Sequence, residues 1–152
     1  MADTVTSQKL KDHAKAWAYK FTNESDGTGE SNVLKVDASA LTAANNDGTE
    51  RLTITKLAWS IASGTSATMS PRVTLKWAGN ATNTIVTLTG SGVWDLTTNL
   101  QTPLTNNAAN TNGDIYLSTT GFTANAAYTL IVEGHKTAGY TSRETTDDGV
   151  SP

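Results

Sequence analysis

From Lys15 to Asp37 the chain reads KAWAYKFTNESDGTGESNVLKVD. Trp17, Tyr19 and Phe21 alternate with Ala16, Ala18 and Lys20, which puts three large rings on one face of a strand and small or charged groups on the other. Asp26-Gly27 and Gly29 supply the positive-φ positions that a tight reversal needs. Leu34 and Val36 then resume an apolar face. The pattern predicts strands over 14–22 and 32–37.

The connection 38–51 carries a strong turn at Asn46-Asp47-Gly48 and room for a single helical turn near Ala38–Ala44. From Leu52 to Ile61 the alternation slips. Leu52 and Ile54 share one parity, while Leu57, Trp59 and Ile61 share the other, so a β-bulge near Thr55-Lys56 is needed to bring both sets into one core. After a loop over 62–71, Val73, Leu75 and Trp77 alternate with Arg72, Thr74 and Lys76. Gly79-Asn80 turns the chain into a strand over 84–89, with Val86 and Leu88 on one face. Gly90-Ser91-Gly92 leads to Val93–Leu96. A long asparagine-rich loop fills 97–112, Ile115 and Leu117 mark a short strand, and AYTLIVEG gives the last, with Tyr128, Leu130 and Val132 inward. About eight short strands divided by turns predict an all-β fold. The expected architecture is a single antiparallel β-sandwich, jelly-roll-like, over 13–136, with an N-terminal arm (1–12) and a C-terminal tail (137–152).

The chain has 152 residues, a formal charge of −3 and 16% charged residues, so nothing electrostatic points to nucleic acid or a membrane as partner. It has no cysteine, which removes disulfides, thiolate metal sites and a cysteine nucleophile. The opening MADTVTSQKLKDH lacks a secretory pattern, and synthesis in a cytoplasm is expected.

The four tryptophans, Trp17, Trp59, Trp77 and Trp94, each sit on the apolar parity of their strand, which favours core positions over a sugar-stacking platform. His13 and His135 lack ligand spacing and are expected at strand ends. Asp26–Glu30, Asn45–Glu50 and Asp147–Gly149 suggest calcium loops only superficially, because none has the EF-hand spacing. The Asn23 and Asn80 sequons are chance matches in a chain this rich in Asn and Thr. Glu24, Glu30, Asp47, Glu50, Asp114, Glu133 and Glu144 fall mainly in turns and tails, where solvated charge is expected. No nucleophile elbow or phosphate loop occurs, and no residue is assigned as catalytic, cofactor-binding or metal-ligating; no cofactor is expected, and partner-binding residues stay open.

MADTVTSQ, the KFTN-ESDGTGES-x-VLKVDAS block and GDIYLSTTG…YTLIVEGHK resemble small virion structural proteins of tailed bacteriophages. The resemblance covers Met1–Leu41 and Gly113–Lys136 and carries over no site residue. It implies a non-enzymatic capsid decoration, or cement, protein on the virion exterior, with the major capsid protein and copies of itself, as a homotrimer, for partners. The alternative is a fibre, neck or tail module that binds a receptor or glycan.

Overall fold

The computed structural model describes residues 3–13, 15–65, 70–79, 83–97, 103–106 and 111–141. Ten strands follow in order: β1 (Thr4–Asp12), β2 (Ala16–Glu24), β3 (Val33–Val36), β4 (Arg51–Ala62), β5 (Arg72–Trp77), β6 (Asn83–Leu88), β7 (Ser91–Asp95), β8 (Leu104–Thr105), β9 (Ile115–Thr120) and β10 (Ala127–Ala138). A 3-10 turn, Ala38–Ala40, follows β3; the Asp37 carboxylate accepts the Ser39 N–H and that of Asp114 accepts the Ala38 N–H. One sheet runs β1-β2-β10-β4-β7, with β8 also on β4; the other runs β3-β9-β5-β6. All pairs are antiparallel.

The two sheets pack their apolar faces into one core, as the all-β sandwich reading expects. Trp17, Phe21, Leu52, Ile54, Leu57, Tyr128, Leu130 and Val132 come from the first sheet; Val36, Val73, Leu75, Trp77, Val86, Leu88, Ile115 and Leu117 come from the second. Each fully buried aliphatic or aromatic side chain contributes about 1.5–3 kcal/mol. The phase slip in β4 resolves as anticipated. Glu133 of β10 faces Lys56 and Gly134 faces Ile54, so Thr55 is the extra residue, and Leu52, Ile54 and Leu57 are all buried. Gly134 is required there: a Cβ would sit 1.7 Å from the Thr53 carbonyl oxygen and 2.9 Å from the Trp17 ring.

Three expectations change. The arm 1–12 is a strand over residues 4–12, hydrogen-bonded along β2. It shows no apolar alternation because it lies beyond the covered part of the sheet, with both faces largely exposed. His13 N–H donates to Ala16 O at 3.0 Å where the chain passes from β1 to β2. At the other end the domain runs past 136: β10 continues to Ala138, and Tyr140 bridges Ala44. The rest of the tail, 142–152, lies outside the described residues, as do 66–69, 80–82 and most of the 97–112 loop. Within that loop Leu104-Thr105 forms β8, too short to show a pattern.

Candidate functional site

The segments that carry the resemblance converge in space. Asp3 from the opening accepts hydrogen bonds from Asp26 N–H (3.0 Å), Ser25 Oγ (3.3 Å), Thr28 Oγ1 (3.0 Å) and Asn23 Nδ2 (3.1 Å), tying the start of β1 to the β2–β3 loop. Gly27 and Gly29 hold that loop at φ +114° and +70°. Next to it, Glu30 is fixed through its backbone to Thr119 of β9, N–H to Oγ1 at 2.8 Å and Thr119 N–H to Glu30 O at 2.9 Å. Its carboxylate points inward. Oε1 lies 2.6 Å from Lys35 Nζ, and Oε2 accepts from Asn23 Nδ2 (2.9 Å) and the Tyr128 hydroxyl (2.7 Å). The bulge in β3 at Lys35, where Leu34 faces Tyr116 and Val36 faces Ile115, sends that lysine inward over the Phe21 ring. The Lys35 and Glu30 side chains are only 4% and 5% exposed.

A second polar set fastens the other end of β1. Asp12 meets Lys136 Nζ at 2.7 Å and Lys9 Nζ at 3.0 Å and accepts the Thr42 N–H, while Lys136 lies over the Tyr140 ring. A third centres on Glu50, whose Oε2 accepts the Asn46 and Asp47 N–H groups. Glu30, Glu50 and Asp114 are therefore buried, against the expectation of solvated charge. Each carboxylate caps backbone or side-chain donors of a folded loop, a role that local sequence does not reveal. Asp26 and Asp47 cap Thr28 and Thr49 in their own turns, so those loops are turns, as expected. Asn23 is buried and tied to Glu30, which leaves no room for a glycan.

Burial raises the Asp114 carboxyl above its ordinary value, helped by the Asp37 and Glu50 charges and opposed by the Ala38 N–H. Burial and the Glu30 charge push the Tyr128 hydroxyl far up. For Asp3, burial raises the carboxyl, but the hydrogen bonds from Asp26, Asn23 and Thr28 outweigh it and hold the pKa at about 2. A depressed carboxyl stabilises above its unfolded value of 3.8, and that contribution disappears as pH falls through about 2. Asp3→Ala is expected to cost roughly 1–2 kcal/mol at pH 7, after discounting for partial exposure. The gap from wild type should close near pH 2. Urea unfolding of both proteins at the two pH values measures this, and equal stability at pH 7 would refute the latch.

Exposed apolar side chains occur on β1 (Val5, Leu10), on β3 (Val33, Leu34) and at the β7 edge, where Val93 is the most exposed of them. Among the described strands β7 pairs only with β4, and Val93 is 67% and Trp94 43% exposed, one on each face of the strand. This corrects the core assignment for Trp94. It shares inward parity with its partner Leu57, but an edge strand overhangs the facing sheet. Trp17 and Trp77 are buried, whereas Trp59 is half-buried, meeting Trp94 edge-on at 5.7 Å and donating its N–H to Thr89 O. A shallow groove of about 450 Å³ runs beside Val93 on the outer face, floored by Ala58, Ser60, Ser91, Gly92 and Thr129. His13 is exposed in the β1–β2 turn; His135 is exposed too but lies within β10, not after the last strand. Among the described residues no three His, Cys, Asp or Glu side chains are placed to hold a metal ion, and no helix is long and apolar enough to cross a membrane. No protein-family model matches the chain, and a search of curated proteins finds no match.

Proposed function

We propose that this chain is a non-enzymatic structural protein of a bacteriophage virion, a decoration protein that binds the outer capsid surface and stabilises the shell. The observation that carries the reading is the β7 edge. A strand paired on one side only among the described strands, with Val93 and Trp94 exposed on its two faces, offers a sheet edge and apolar area together, the combination an edge-docking partner uses. The polar residues of the resembling segments serve the fold instead: Asp3, Asn23, Glu30, Lys35 and Tyr128 lock one corner of the sandwich. A rigid block docked at many equivalent lattice positions gains strength by multivalency, because modest contacts add on a repeating surface. With β1 and β8 set aside, the orders β2-β10-β4-β7 and β3-β9-β5-β6 support a jelly-roll reading, an architecture used by viral capsid and lectin domains.

Counting copies per purified particle against the major capsid protein, by quantitative mass spectrometry, tests the reading. A ratio near one per capsid subunit, or one per three, is expected; the first fits a homotrimer of this chain at each three-fold site of the shell. A dozen copies or fewer would overturn decoration.

One observation favours a second reading, a glycan- or receptor-binding module on a fibre, neck or tail. The half-exposed Trp94 ring beside Trp59 is a surface on which a sugar could stack. That reading predicts a saturable tryptophan fluorescence change with oligosaccharide that Trp94→Ala abolishes. Decoration predicts none.

A further inference from the structure

We propose that Lys35 and Asn23 join in an intramolecular isopeptide bond, with Glu30 as the proton carrier. Three side chains make the case. Asn23 on β2 is 2% exposed, and the Lys35 side chain on β3 and the Glu30 side chain between them are nearly as buried. One carboxylate holds both reactants, Oε1 at 2.6 Å from the Lys35 nitrogen and Oε2 at 2.9 Å from the Asn23 amide nitrogen. The Phe21 ring, 5.7 Å from Nζ, and the stacked Tyr19 ring beside it give the ammonium an apolar surround. Asn23 Oδ1 is buried with no partner. Glu30 Oε1 likewise meets Lys35 as a charge contact without a hydrogen bond, and a buried ion pair beside an orphaned amide oxygen is an expensive arrangement for a contact that only packs the fold.

The chemistry balances without an outside reagent. Glu30 Oε1 takes a proton from the Lys35 ammonium, leaving a neutral amine. The amine lone pair attacks Asn23 Cγ, the Cγ–Nζ bond forms, and the Cγ–Nδ2 bond breaks. The departing nitrogen collects a second Nζ proton through the carboxylate and leaves as ammonia; Glu30 ends protonated. An ammonium, a carboxylate and a carboxamide thus become a secondary amide, a carboxylic acid and ammonia, with no net change in charge. The backbone of Glu30, pinned to Thr119 on both sides, fixes the carrier before the reaction. Since β2 and β3 belong to different sheets, the bond bolts the two layers of the sandwich together.

Peptide mapping of the full-length folded protein tests it. Trypsin is expected to pass over Lys35 and to release a single peptide, Phe21 to Arg51, lighter than its sequence by one ammonia, about 17 Da. Glutamyl endopeptidase cuts at Glu24 and Glu30 should open the loop yet leave the pieces joined through Asn23 and Lys35. A succinimide at an asparagine would match the mass loss, but Lys35 would still be cleaved, and that result counts against the proposal. Glu30→Gln should restore cleavage at Lys35 and the full peptide mass; a crosslink persisting in it would remove Glu30 from the mechanism. If that variant fails to fold, the wild-type map still decides. Full cleavage at Lys35 in the folded wild-type protein overturns the bond.

Discussion

Glu30→Ala is expected to lower the stability of the fold by about 3–5 kcal/mol, the usual cost of stranding a buried partner charge. The substitution removes the acceptor on which Lys35, Asn23 and the Tyr128 hydroxyl converge, leaving an ammonium 4% exposed beside an aromatic ring. In a chain of this length such a loss lowers Tm by roughly 6–20 °C. If the Lys35–Asn23 bond forms, the variant also loses a closed loop whose constraint on the unfolded chain is worth about 3 kcal/mol more. Replacing the pair together, Glu30→Leu with Lys35→Met, leaves no stranded charge and should recover part of the loss. Wild type, Glu30→Leu, Lys35→Met and the double variant form a cycle whose coupling measures the pair. Thermal unfolding of Glu30→Ala within about 1 kcal/mol of wild type would show that the carboxylate does not organise this corner.

What the sequence made legible follows from which interactions are periodic. Alternation locates the interior where a strand has one wet and one dry face, as at Trp17 and Phe21, Val73 through Trp77, and Tyr128 through Val132. It even exposes its own fault: the change of parity between Ile54 and Leu57 places the extra residue at Thr55. It fails where a strand has no dry face. β1 is wet on both sides and is held by backbone pairing with β2 and by the Asp3 and Asp12 ties. Parity also tells which way a side chain points without telling whether anything covers it. Trp94 points inward from the last strand of its sheet and is exposed for that reason. The buried acids are illegible for another cause. Glu30 finds Lys35, Asn23 and Tyr128 only after a β2–β3 turn, a β3 bulge and a distant strand bring them together.

Val93→Asp with Trp94→Ser is expected to abolish capsid association while leaving the domain folded. Val93 is mostly solvated already, so its loss should cost the fold little, and the edge-on contact of Trp94 with Trp59 is worth about 0.5–1.5 kcal/mol. At an interface the same two side chains are the exposed apolar anchors of the edge. Truncating a buried tryptophan anchor typically costs about 2 kcal/mol or more, roughly 30-fold in affinity at each site. The aspartate adds the penalty of desolvating a charge on the docking face. Because a shell presents many equivalent sites, a loss at each compounds wherever copies bind through more than one contact. Binding of the variant to particles lacking the protein, read by co-sedimentation, should fall below detection at concentrations that saturate the wild type. Glu24→Ala, at the exposed end of β2, should bind normally and controls for surface change alone. Undiminished occupancy by the double variant would move the docking surface away from β7 and leave the β1 edge, Thr4 to Gln8, which has neither charge nor bulge, as the edge to probe by a proline at Thr6.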